Sequence, residues 1–351
     1  MSERALATIR RVLAVDPIEG ADNIERLTID GWQLVSQKGN FRPGDLCLYF
    51  EIDSVLPIRP EFEFLRSRCY VKRDWVEGFR IKTIKLRKQV SQGLALPPHE
   101  IFKGTFIADE GTDYTEALGV KKWDPPLDPQ LRGKARGNFP HFIPKTDQAR
   151  IQNVYKQYVY KYAEHTFEKT LKLNGSSMTV YVVDPMDSED DEMEIHVCSR
   201  NLELDIENNK DNAFVATALR YSRFFTMPGR KLAFQGELMG PGIQGNREGL
   251  DRHEFYIFDI FDIERNRYLL PQERIELFAT LSIWGFAVPQ HVPILEAECK
   301  VLAYNLNSII EDANSCISIV HPVGEGYVYK SNTDPDVSFK VISNKYLLKE
   351  E

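Results

Sequence analysis

Hydrophobic and polar residues alternate in short runs over the first hundred positions. Leu6 to Val15, Ile24 to Ile29, Trp32 to Ser36, Leu46 to Glu51, Phe79 to Lys85 and Gly93 to Leu96 each predict a strand. Asp30-Gly31, Pro43-Gly44-Asp45 and Pro97-Pro98 predict turns between them. Short strands at this spacing point to a small all-β barrel or sandwich. His99 to Pro144 breaks the periodicity with Pro125-Pro126, Pro129, Pro140 and Pro144 and reads as a linker with a basic segment, Arg132 to Arg136. Thr146-Asp147 is placed to cap a helix whose apolar positions Ile151, Val154, Tyr155 and Tyr158 have helical spacing. Asp147, Gln148 and Arg150 are expected on its exposed side.

Phe167 to Leu173 alternates again and carries a lysine, Lys172, at its end. Asn174-Gly175 follows, then a second run, Thr179 to Val183. Asn-Gly between two alternating runs predicts a hairpin, and a plain hairpin is one reading. The other is chemical: an amine at a sheet rim, beside a glycine that admits a ligand to the backbone, is a candidate nucleophile. Farther along, Glu194 to Ser199 predicts a strand, Asn212 to Tyr221 a helix, and Lys231 to Leu238 and Glu254 to Ile263 buried strands. Pro271 to Leu281 predicts a helix opened by proline. Glu296 to Asp312 predicts more helix, and Gly326 to Ser331 and Val337 to Ile342 close the chain as strands. The expected fold class is α+β. A five-stranded OB-type barrel, a fold that commonly binds oligonucleotides, would occupy residues 1–120. A linker would follow at 121–145, then an α+β domain on antiparallel sheet at 146–351.

A chain of 351 residues has room for two domains, and 42% hydrophobic with 27% charged residues is ordinary for a soluble protein. Met1 to Arg10 lacks the apolar core of a signal peptide, and no run approaches membrane-spanning length, so no membrane partner is expected. Cys47, Cys69, Cys198, Cys299 and Cys316 form no CxxC pair, which argues against a disulfide framework or a zinc site and fits a reducing, intracellular location, cytoplasmic or nuclear. The net charge is −8, yet Arg66 to Lys88 holds nine lysines and arginines against Asp74 and Glu77. Asp184 to Glu194, by contrast, holds seven acids and reads as a solvated loop. A basic stripe on an acidic chain fits local contact with a polyanion; a solvated face is the other reading.

Six short stretches stand in one order: Lys172-Leu173-Asn174-Gly175, Ser199-Arg200-Asn201, Phe234-Gln235-Gly236-Glu237-Leu238, Phe255-Tyr256-Ile257-Phe258-Asp259-Ile260, Glu325-Gly326-Tyr327-Val328-Tyr329-Lys330 and Ser338-Phe339-Lys340-Val341-Ile342-Ser343. In this order they resemble the motifs of the covalent nucleotidyltransferase superfamily, which holds ATP-dependent RNA and DNA ligases and mRNA capping enzymes. Gly20 to Trp32, Arg80 to Pro97 and Phe139 to Asn153 resemble the RNA ligases of the Deinococcus and Naegleria type, with an N-terminal OB module. Only eleven residues follow Lys340, so an OB domain after the last motif, as in the DNA ligases and capping enzymes, is not expected.

The resemblance implies an ATP-dependent RNA ligase with Mg²⁺ or Mn²⁺. Its substrates would be RNA 3′-OH and 5′-phosphate ends, including those of a nicked duplex, and a monomer is expected. Lys172 would be the nucleophile, and Lys340 would contact the α-phosphate. An amine must lose its proton to attack phosphorus; Lys340 and a bound metal ion are expected to disfavour its charged form. Glu237 and Glu325 are the candidate metal ligands, with Glu237 alternatively on the ribose. Arg200 would contact ribose or phosphate. Phe258 would stack on adenine; plain core packing is the other reading of that side chain. Two departures stand out. Asn174 takes the place of a frequent aspartate and offers metal only a neutral oxygen. Ile342 takes the place of a frequent second lysine, for which Lys345 is a candidate substitute. A DNA ligase, a capping enzyme and an inactive nucleic-acid-binding protein are the alternatives. Gly240 to Gly245 matches GxGxxG, but no helical pattern follows, so no dinucleotide site is expected.

Overall fold

The computed structural model describes residues 4–73, 76–102, 104, 109–123, 134–184 and 193–349. Its chain divides into two compact units, Met1–Pro126 with Leu347–Glu351, and Leu127–Tyr346. Most of the acidic loop after Asp184 and part of the basic segment at Arg132 lie outside the described residues.

The first unit contains β1 (Ala7–Pro17), β2 (Ile24–Ile29), β3 (Trp32–Gln37), β4 (Leu46–Phe50), β5 (Ser54–Leu56), β6 (Tyr70–Arg73), β7 (Val76–Arg80), β8 (Thr83–Leu86), β9 (Gln89–Gln92), β10 (Leu94–Leu96) and β11 (Lys121–Lys122). One sheet runs β10-β4-β1-β2-β3, a second β11-β5-β7-β6, and β8 pairs with β9. The long β1 pairs with β4 over its first half and β2 over its second, and a bulge between Val12 and Ala14 bends it between them. Its inward residues and their partners fill the barrel: Ile9, Leu48, Phe50 and Phe79 in one cluster, Val12, Leu27, Trp32 and Leu34 in another. This is the OB-type barrel that the alternation predicts. The run from Phe79 to Lys85 is two strands rather than one. Ile81 turns aside to bond through its N–H to Ser54 and through its carbonyl to Asp53.

The second unit contains β12 (Ala135–Asn138), α1 (Ile151–Tyr162), β13 (Phe167–Lys172), β14 (Ser176–Val183), β15 (Glu194–Ser199), β16 (Leu202–Leu204), α2 (Ala213–Arg220), β17 (Leu232–Met239), β18 (Glu254–Asp262), β19 (Arg267–Tyr268), α3 (Pro271–Ser282), β20 (Gln290–His291), β21 (Ile294–Cys299), α4 (Leu306–Asn314), β22 (Gly326–Ser331) and β23 (Ser338–Ile342). The larger sheet runs β12-β16-β15-β14-β17-β18-β19, with β20 parallel to β18; the smaller runs β21-β13-β22-β23. Val180, Phe214, Phe234 and Phe255 centre the core of the larger sheet. Phe167, Leu171, Tyr329 and Phe339 of the smaller sheet pack with Ile151 of α1 and Ile309 of α4. No helix among the described residues is long and apolar enough to cross a membrane.

Three expectations need correction. β13 and β14 form no hairpin: β13 pairs with β21 and β22, β14 with β15 and β17, so Asn174-Gly175 crosses from one sheet to the other. Thr146-Asp147 does not cap α1; the helix starts after Arg150, which is buried rather than exposed. Helix does not begin at Glu296, because Ile294–Cys299 is drawn into the smaller sheet as an edge strand beside β13, and α4 covers only Leu306–Asn314.

Candidate active site

The site forms where the chain crosses between the sheets. A Cβ on Gly175 would lie 2.4 Å from the carbonyl oxygen of Leu238 and 2.8 Å from Cγ of Glu237, so only glycine lets the two strands meet this closely. The Gly175 N–H donates to Oε1 of Glu237 at 3.0 Å and fixes that carboxylate beside the crossing. Asn174 lies half-buried between Lys172 and this glycine. In the smaller sheet, Lys172 stands opposite Gly326. The residue before Gly326 is Glu325, whose carbonyl accepts from the Ser343 N–H and whose Oε1 lies 2.5 Å from Nζ of Lys172.

Strand alternation then separates two faces of the smaller sheet. Phe167, Leu171, Tyr329, Phe339 and Val341 point into the apolar core beneath α1 and α4. The opposite face carries Glu168, Thr170 and Lys172 on β13, Lys330 on β22 and Lys340 on β23, with Glu168 paired to Lys330 and Thr170 to Val328, itself paired to Lys340. Nζ of Lys340 lies 2.9 Å from Asp147, whose other oxygen is 3.6 Å from the Arg200 guanidinium. The Lys340 N–H donates to the Ala149 carbonyl, which seats Arg150 beside β23.

Charges in this cluster shift one another. Burial disfavours the charged amine of Lys172, but Glu325 and Glu237 outweigh it, and the pKa is raised. The expectation that cations would dominate at Lys172 is thus reversed in the protein alone: Arg150 does act in that direction, but the two carboxylates prevail. Burial, with Glu325 adding to it, pushes Glu237 up to about 7, against the pull of Lys172, the Gly175 N–H and Arg200. Burial pushes Lys340 down to about 8; Asp147 opposes this, and Arg150 and Lys172 add to it. Two carboxylates suit a hard cation that keeps several of its waters, as Mg²⁺ does. Among the described residues no group of three acidic, histidine or cysteine side chains offers a fuller cage.

Phe258 owes its placement to a β-bulge. Gln235 pairs with Asp259 and Gly236 with Ile257, so Phe258 is the extra residue on β18. It is half-buried, and the Lys330 ammonium lies 5.3 Å from its ring centroid and donates to its carbonyl.

Comparison with family models finds an OB-fold domain over residues 6–98 and an RNA ligase over residues 165–342. The whole chain is similar to the Naegleria gruberi RNA ligase. A structure of its lysine-to-methionine mutant with AMP and Mn is 41% identical over 99% of both chains, with a TM-score of 0.88. The chain belongs to the RNA ligase family. A lysine-to-alanine mutant of the Naegleria gruberi RNA ligase with ATP and Mn is 40% identical over 99% of both chains, with a TM-score of 0.88. The same ligase with pyrophosphate is 41% identical over 98% of both chains, with a TM-score of 0.87. A comparison with curated protein sequences finds no match.

In this RNA ligase, Lys172, Glu237 and Glu325 come together at the crossing, and Asp147 ties Lys340 to Arg200. Phe258 is joined to the polar face of the smaller sheet through Lys330. Ile342 is buried opposite Gly326, whereas Lys345 sits exposed beyond the end of the strand, on the short helix Asn344–Leu347. Sequence reasoning named Arg150 but set it on an exposed helix face rather than in the site: a cation in the turn before an apolar helix reads as a surface residue until β23 is seen to pack on it.

Proposed function

We propose that the chain is an ATP-dependent RNA ligase that joins 3′-OH and 5′-phosphate ends through a lysyl-AMP intermediate and an adenylylated 5′ end. The observation that carries this reading is the Lys172 amine held 2.5 Å from Glu325, with Glu237 fixed beside it by the Gly175 N–H. Lys172 would form an N–P bond to the α-phosphorus of ATP while the bridging P–O bond breaks and pyrophosphate departs with its electrons. Lys340 and Arg200 would take the phosphate and ribose oxygens, and Phe258 the adenine ring. Glu237 and Glu325, with Asn174 as a neutral donor, would hold Mg²⁺ or Mn²⁺. When bound, the ion would neutralise phosphate charge and draw the two carboxylates away from the amine, which favours the neutral lysine. The 5′-phosphate would then attack the lysyl-AMP, and the 3′-OH would displace AMP. These in-line displacements at phosphorus need positioning and charge neutralisation above all.

The experiment is incubation with α-labelled ATP and Mn²⁺ or Mg²⁺, followed by denaturation. Label that stays on the wild type and is lost in Lys172→Ala supports the reading; an unlabelled wild type overturns it. Nicked duplexes with ribose or deoxyribose at the 3′ end then separate RNA from DNA joining, because the 2′-OH marks RNA. Indifference to that sugar would remove the RNA assignment.

A further inference from the structure

A buried ion network lies deeper along the polar face that carries Lys172. Glu168 is on β13, four residues before Lys172 and on the same side of the strand, about 13 Å away along it. It pairs with Arg274 of α3, and both side chains are fully buried. Arg274 also approaches Asp259 of β18 at 3.9 Å and donates through Nε to His291 at 2.9 Å. Asp259 in turn pairs with Lys330 of β22 at 2.6 Å, and Lys330 donates to the carbonyl of Phe258. His291 donates its Nδ1–H to the Val292 carbonyl at 2.6 Å, and burial, with Arg274 beside it, lowers its pKa to about 4, so the ring is neutral and its Nε2 accepts from Arg274.

Four buried charges are a poor way to stabilise a core, since well-packed apolar side chains commonly do as well. What they provide is a fixed geometry, because guanidinium and carboxylate meet only in a few orientations. The network takes one residue from each of three strands that carry or adjoin candidate site groups: β13 bears Lys172, β18 bears Phe258, and β22 follows Glu325. Among the described residues no strand ladder joins the two sheets directly; the main chain from Gln290 to Cys299 lies first along β18 and then along β13, with the Val292 N–H on the Ile257 carbonyl and the Leu171 N–H on the Pro293 carbonyl, and the ion network adds a side-chain tie between the same strands.

We infer that Glu168, Arg274, Asp259 and Lys330 register the nucleophile strand against the nucleotide platform, with Arg274 as the central positioning residue. This rests on the lysyl-AMP reading of the site. It separates two chemical steps. Attack by Lys172 on ATP needs β13 aligned with β18 to within a fraction of an ångström. Sealing of a strand already adenylylated at its 5′ end needs the platform but not the attacking amine.

The test is Glu168→Gln, which keeps shape and hydrogen bonding but removes one charge, with Arg274→Lys as the conservative companion. Labelling of Lys172 at saturating ATP and sealing of a pre-adenylylated RNA strand are measured on each. The expected result is a loss of about tenfold or more in labelling rate, with little change in the KM for ATP and with sealing within about threefold of wild type. Equal loss in both steps, or no loss in either, in a folded variant overturns the inference. Should Glu168→Gln fail to fold, the charge-neutral pair Glu168→Gln/Arg274→Met carries the same comparison. Label that persists in Lys172→Ala would instead show that the underlying reading of the site is wrong.

Discussion

Gly326 stands opposite Lys172 in the ladder between β13 and β22, and a Cβ on it would lie 2.1 Å from the Val341 carbonyl oxygen. Its φ of +137° is one that side-chain-bearing residues rarely adopt. The turn that presents Glu325 to the amine therefore exists only with glycine there. Gly326→Ala is expected to cost roughly 3 kcal/mol or more through strain and backbone collision. Lysyl-AMP labelling should fall together with the melting temperature. A variant that melts like the wild type and labels normally would show that the turn tolerates a side chain.

Glu237 ties stability to metal binding in a direction that can be checked. Its pKa is raised from the ordinary carboxylate value to about 7, so the folded state holds a proton that the unfolded state has lost between about 4.5 and 7. Its contribution to stability is thus present at low pH and is lost as pH rises through 7. Glu237→Gln should raise the melting temperature at pH 8, have little effect near pH 4, and abolish Mn²⁺-dependent labelling. In the wild type, the Mn²⁺ concentration for half-maximal labelling should climb as pH falls below 7, because proton and metal compete for one carboxylate. A Glu237→Gln variant less stable than the wild type at pH 8 would contradict this account.

Part of the site was legible before the fold was known, because several of the motifs set a charged residue in a run that is otherwise largely apolar. Lys172, Glu237 and Lys340 each interrupt a strand pattern, and such an interruption faces a neighbour across the site. The crossing at Asn174-Gly175 was not legible, since Asn-Gly serves a hairpin equally well and pairing is decided by distant strands. Arg274 was not legible either: an arginine in an amphipathic helix reads as solvent-facing, and only the buried Glu168 shows otherwise. The edge strand at Ile294 was hidden by a composition that suits a helix as well.

Asn174 invites a gain rather than a loss. It offers a neutral oxygen beside the Gly175 N–H that holds Glu237. Asn174→Asp would add a third carboxylate, and affinity for hard cations rises with ligand charge. The metal concentration for half-maximal labelling should drop about threefold or more. An unchanged requirement would place this side chain outside the metal's reach.

The turn between β8 and β9 consists of Arg87 and Lys88, with φ of +47° and +68°. Asparagine and glycine are the residues that favour this hairpin geometry. Two cations held in an unfavourable conformation at an exposed tip fit a role in binding phosphate. Arg87→Asn/Lys88→Gly should therefore raise the melting temperature while weakening RNA binding. Without these two charges to neutralise phosphates, the slope of log affinity against log salt should become shallower by about 1.5. Stabilisation without any change in the salt slope would leave the tip a plain turn.

Asp147 governs the charge of Lys340. Burial, Arg150 and Lys172 all depress that lysine, and the carboxylate at 2.9 Å is what keeps it as high as about 8. Because kcat/KM for ATP reports ionisations of the free enzyme, its alkaline limb should begin near pH 8 in the wild type. Asp147→Asn keeps a hydrogen-bonding oxygen but removes the charge, so the Lys340 pKa falls further and the limb moves to lower pH. At pH 8 the variant should lose roughly fivefold in kcat/KM for ATP, and far less at pH 6.5, where Lys340 stays protonated in both proteins. A uniform loss at every pH would mean that Asp147 acts by placing Lys340 and Arg200 rather than by charging the lysine, and the pH profile separates these two causes.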